Sequence, residues 1–140
     1  MKKAYLGAAL FICAAATAHA APKADKWVKI YQNEYGTTFA DLHTAAAANV
    51  PVQAGVKKFG YKYVYTYGVP SLKIEPKGYI QAVHMINCAE QTRAYIFSHR
   101  FKANGTAMEK AVEMPRYFEP MNLDSPEVNA LYQYVCTAAQ

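Results

Sequence analysis

Residues 60–68 read Gly60-Tyr61-Lys62-Tyr63-Val64-Tyr65-Thr66-Tyr67-Gly68, and this stretch decides the fold. Successive side chains of an extended chain point to opposite sides. Period two therefore places Tyr61, Tyr63, Tyr65 and Tyr67 on one face and Lys62, Val64 and Thr66 on the other. Aromatic and β-branched residues suit a pleated surface, and the two glycines mark the ends of the segment. The stretch reads as a strand of an antiparallel sheet.

Working towards the N-terminus, residues 45–48 are four alanines, which favour a short helical turn, ended by the extended Val50-Pro51. Before them, residues 27–31 and 36–42 carry β-branched and aromatic residues on either side of Asn33-Glu34-Tyr35-Gly36, a first hairpin. Towards the C-terminus, a turn-rich link through Pro70 and Pro76-Lys77-Gly78 leads to a strand over residues 79–87. Its two faces are Ile80, Ala82, His84 and Ile86, continuing to Cys88, and Tyr79, Gln81, Val83, Met85 and Asn87. The first set is expected to be the more buried. Residues 92–101 form another strand. The Asn104-Gly105 pair suits the left-handed backbone of a tight hairpin turn, so residues 107–114 are expected to return as its partner.

Beyond residue 123 the period changes from two to about 3.6. Asp124-Ser125-Pro126-Glu127 is a helix start, with Ser125 or Asp124 able to cap free amides, proline suited to the first turn and Glu127 at the positive end of the dipole. Val128, Leu131, Tyr132, Val135 and Cys136 then fall on one apolar stripe. If Cys88 faces the same core from its strand, the two sulfurs meet where helix packs on sheet. The fold class is α+β: an antiparallel β-sheet with a C-terminal α-helix packed on one face and tethered by a Cys88–Cys136 disulfide.

The first twenty residues read as a removable export signal: Lys2 and Lys3, an apolar run over residues 4–16, and the small-residue site Ala18-His19-Ala20. The run is shorter than the roughly 20 residues needed to span a bilayer. Leu10-Phe11-Ile12 before Cys13 is too bulky to resemble a lipoprotein signal, so Cys13 is expected to leave with the signal. Residues 21–26 are a loose leader, and residues 27–140 a single domain of a size that buries about two thirds of its unfolded surface. Loss of Lys2 and Lys3 lowers the formal charge from +5 to +3. The basic residues are scattered among acids, which argues against nucleic acid as a partner.

The run NCAEQTRAYIFSHRFKANG over residues 87–105 and the run LDSPEVNALYQYVC over residues 123–136, with Trp27 near the mature start, resemble the surface-adhesin protein E family of Gram-negative bacteria. The paired cysteines and capped terminal helix are the specific part of the likeness, and residues 33–71 match only loosely. The resemblance implies a sheet carrying a disulfide-fixed C-terminal helix, a tendency to dimerise, and adhesion to host extracellular-matrix or serum proteins. Members of this type can be lipid-anchored at the cell surface. Here the signal reads as an ordinary cleavable one, so export to the periplasm fits as well as export to the surface.

The tyrosine row has two readings. Aromatic alternation is above all what a half-buried strand looks like, which puts the row beneath the terminal helix and leaves Lys62 and Thr66 on a solvated face. Alternatively Tyr61, Tyr63, Tyr65 and Tyr67, with Lys57 and Lys58 nearby, form a binding surface, since tyrosine offers a large rigid face with a polar tip. His84 and Cys88 share a face, but a disulfide-bonded cysteine is no thiolate ligand, and His43 and His99 lack ligand spacing. No metal or other cofactor is expected. No nucleophile elbow, metalloprotease motif, phosphate loop or free mature cysteine is present, the acids are dispersed, and Glu109 and Glu113 suit a solvated strand face, so no enzyme is expected. Two functions follow from this. One is an adhesin-like exported protein holding a protein partner through a sheet face or edge. The other is a periplasmic accessory protein whose partner is an envelope component or an inhibited hydrolase such as lysozyme.

Overall fold

The computed structural model describes residues 25–137. Residues 1–20, read as an export signal, and residues 21–24 of the expected leader lie outside the described residues. β1 (Val28–Gln32) and β2 (Gly36–Asp41) form the expected first hairpin. Asn33 builds its turn, its Oδ1 accepting from the backbone N–H groups of Tyr35 and Gly36 at 2.9 and 3.0 Å. The four alanines form α1 (Ala45–Ala48), capped by Thr44, whose Oγ1 accepts from Ala46 N at 3.2 Å. There follow β3 (Val56–Tyr65), a 3-10 turn at Pro70–Leu72, β4 (Tyr79–Asn87), β5 (Thr92–Phe101), the two-residue β6 (Val112–Glu113) and β7 (Glu119–Pro120), and α2 (Pro126–Thr137). The sheet is an antiparallel meander in the order β1 to β6, with β7 also pairing β5.

β3 starts four residues earlier and ends three residues earlier than the glycines suggest. Gly60 is an interior glycine: a Cβ there would collide with Thr44 Cγ2 and meet the Trp27 ring at 3.1 Å, so it lets α1's cap and the N-terminal segment approach the sheet. At the other end the chain leaves the ladder after Tyr65, where Thr66 N donates to Tyr35 O at 2.8 Å, and Tyr67 falls in the loop. The expected partner of β5 over residues 107–114 forms only in fragments. Ala107 bridges Phe101 and β6 pairs Phe97 and Ser98, but between them Glu109 O meets the His99 ring instead of a strand, and its carboxylate pairs with Arg100.

β5 also carries a bulge. Val83 pairs Phe97 and His84 pairs Tyr95, so Ile96 has no opposite residue and the alternation of β5 flips there. Arg93, Tyr95, Ser98 and Arg100 thus share the face of His84, while Ala94, Phe97, His99 and Phe101 serve the other.

Both faces are covered. On one, Leu131 and Val135 of α2 pack against Ala40, Phe59 and Ile86. On the other, Ala47 and Val50 pack on Val83, Met85, Ala94 and Ile96. β4 is consequently buried on both sides from Ala82 to Ile86, rather than on one face only. Nor is Lys62 fully solvated. The N-terminal segment crosses its face, and its Nζ stands 4.4 Å from the Tyr79 ring centroid and 5.8 and 6.0 Å from those of Trp27 and Phe39. Partial burial lowers the Lys62 pKa below its ordinary value, opposed by the charge of Asp25.

The disulfide joins Cys88, one residue past β4, to Cys136 in the last turn of α2, with Cα atoms 5.8 Å apart. Tyr132 OH donates to Cys88 O at 2.8 Å beside it. Among the described residues no helix is long and apolar enough to cross a membrane.

Candidate binding face

The register sets out the helix-bearing face as cross-strand rows: Phe59–His84–Tyr95, Ala40–Tyr61–Ala82–Ser98 and Thr38–Tyr63–Ile80–Arg100, with Tyr65 opposite Gly36 beyond them. α2 crosses only one end of these rows. Its stripe seals the Phe59 end, and its first turn reaches the middle, where Glu127 Oε1 accepts from Thr38 Oγ1 at 2.6 Å and from Tyr61 OH at 3.1 Å. Burial, and secondarily the Glu127 charge, hold the Tyr61 phenol far above its ordinary pKa, so it remains a donor. Thr38 is fully buried, and removing its acceptor orphans a hydroxyl. Glu127→Ala is therefore expected to cost about 2 kcal/mol, and Glu127→Gln, which keeps an acceptor, less than half of that, read by urea unfolding at pH 7.

Of the candidate surface residues, the structure brings Tyr61, Tyr63 and Tyr65 onto one face but gives them different environments. Tyr61 is locked under α2. Tyr63 and Tyr65 are half-buried, in edge-on contact with ring centroids 4.8 Å apart. The Tyr63 ring lies over Gly36, where a Cβ would come within 2.5 Å of its Cζ. Tyr67 is 62% exposed and off the strand. Lys57 shares the tyrosine face by register, at the end next to Ile86. Lys58 points to the opposite side, where its Nζ donates to Ala48 O and Val50 O at 2.8 and 2.6 Å and ties down the end of α1. Lys58 therefore does not join the tyrosines in one surface.

Beside the tyrosines lies a depression of about 270 Å³ lined by Tyr61, Ile80, Ala82, His84, Arg93, Tyr95 and Ser98. His84 stacks on Tyr61 at 4.6 Å and meets Phe59 and Tyr95 edge-on at 5.7 and 4.6 Å. Burial, and secondarily the Arg93 charge, push its pKa down to about 3, so the imidazole is neutral at pH 7. Its Nδ1 is buried without a hydrogen-bond partner.

Sequence reading did not single out Arg93, Tyr95, Ser98 or Glu127 as residues of this face. Arg93 and Tyr95 were legible as one strand face, but the bulge that adds Ser98 to that face leaves no local trace. Glu127 was legible as a helix-start acid and not as the anchor of Thr38 and Tyr61. Among the described residues no group of three or more His, Cys, Asp and Glu could hold a metal ion. Comparison with known proteins finds no matching family model, no matching curated protein and no matching solved structure.

Proposed function

We propose that the protein is an exported, non-catalytic binding protein of the surface-adhesin E type, whose helix-bearing sheet face engages a protein partner such as an extracellular-matrix or serum protein. The observation that carries this reading is the short reach of α2. It seals the Phe59 end of the face and leaves Tyr63 and Tyr65 half-exposed. Tyrosines held in fixed contact give a partner a broad, rigid surface with polar tips at little entropic cost. The Cys88–Cys136 bond supports export, because such bonds persist in oxidising compartments.

Binding of the purified chain lacking residues 1–20 to immobilised matrix and serum proteins, fibronectin and collagen among them, tests the reading. Saturable binding to at least one is expected, weakened at least tenfold by Tyr63→Ser with Tyr65→Ser and unchanged by Tyr117→Ser, which alters an exposed tyrosine on the segment before β7. Binding that ignores the double substitution, or none across the panel, would overturn it. Digestion of intact cells with an impermeant protease then separates the surface from the periplasm.

A further inference from the structure

The depression on the helix-bearing face owes its shape to side-chain size along the rows. Ala82 and Ser98 are short and adjacent, while His84 and Tyr95 on one side and Ile80 and Arg100 on the other are long. The bulge at Ile96 brings Ser98 onto this face beside Ala82. Ile80 and Ala82 line the depression with apolar groups beside Ser98, and Tyr61 and Tyr95 line it with aromatic ones. A cavity of about 150 Å³ lined by apolar side chains is enough to hold benzene, so about 270 Å³ accommodates one ring with a polar substituent.

Two polar groups here lack the partners their chemistry calls for. The Arg93 guanidinium donates to Tyr95 OH and lies 4.8 Å from that ring's centroid; Glu119 stands opposite Arg93 in the β5–β7 register, yet the two form no ion pair within 4.0 Å. His84, 2% exposed, lines the depression and leaves Nδ1 unpartnered. An arginine fork matches a carboxylate in shape and charge, and a lining of aromatic and apolar groups matches a flat ring. We propose that the depression binds a small aromatic carboxylate, its ring over Ile80 and Ala82 against Tyr61 and Tyr95, and its carboxylate on Arg93. The lining of this site includes neither Tyr63 nor Tyr65, and the proposal stands whether or not a protein binds to those two.

Benzoate titrated into the ¹⁵N-labelled chain lacking residues 1–20 tests it, with benzyl alcohol as the uncharged counterpart and acetate as the ringless one. Benzoate is expected to shift the amides of residues 80–84 and 93–98 and the His84 ring nitrogens saturably, at least tenfold more tightly than either control. Arg93→Gln should bring benzoate to the level of benzyl alcohol. Ala82→Leu, which fills the depression while leaving the dispersed spectrum of a folded chain, should abolish both. Shifts that do not saturate, that centre on other residues, or that survive Ala82→Leu would overturn the proposal.

Discussion

Replacing Cys88 and Cys136 together with serine is expected to lower the free energy of unfolding by about 4 kcal/mol and the thermal midpoint by about 15 °C. The magnitude comes from the 48-residue separation that the bond closes, which on a chain-entropy account restricts the unfolded ensemble by about 4 kcal/mol. The structure says why the fold should survive the loss. α2 keeps Leu131 and Val135 in the core, the Tyr132 hydroxyl on Cys88 O and the Glu127 carboxylate on Thr38 and Tyr61. Changing both cysteines avoids leaving a free thiol to oxidise. Reduced wild-type protein should melt where the double variant melts, and the variant should ignore reductant. A wild-type midpoint untouched by both reduction and substitution would mean that the bond contributes no stability and that the side-chain contacts alone hold α2.

How far the fold was legible depended on how local its causes are. Asn33 makes its turn with its own side chain, and Val128, Leu131 and Val135 repeat at helical spacing, so the first hairpin and α2 announce themselves in a few residues each. Gly60 misled because a glycine in a strand pattern reads as a boundary when its role is to admit Thr44 and Trp27 from elsewhere in the chain. Lys62 and Lys58 misled for the same reason. The rings around Lys62 and the α1 carbonyls held by Lys58 arrive by tertiary packing, which charge alone does not foretell. The candidate face was half legible. Period two put Tyr61, Tyr63 and Tyr65 on one side, and both burial and exposure were foreseen for that row as rival readings. The structure divides the row between them, with Tyr61 under α2 and Tyr63 and Tyr65 beyond its first turn.

Acidification is expected to destabilise the fold through His84, by about 3 kcal/mol between pH 7 and pH 4.5. The ring is enclosed by Phe59, Tyr61 and Tyr95, and the charge acting on it among the described residues is the like charge of Arg93. An imidazolium there would be stripped of water beside a cation, which holds the native pKa down at about 3, against about 6.5 in the unfolded chain. Between those values the unfolded state binds a proton that the native state refuses. Stability from this group is therefore complete above about pH 6.5 and is lost as pH falls towards 3, at up to about 1.4 kcal/mol per pH unit. His84→Phe isolates the effect, because phenylalanine is close in size, keeps the ring contacts and has no Nδ1 to leave unpartnered. Urea unfolding of both proteins at pH 7 and pH 4.5 should find them within about 1 kcal/mol of each other at the higher pH and the variant ahead by about 3 kcal/mol at the lower. His43 and His99, the acids and the lysines are common to both proteins and cancel in that difference. Equal losses on acidification would mean that His84 takes its proton inside the folded protein and that its enclosure opens at a cost too small to matter.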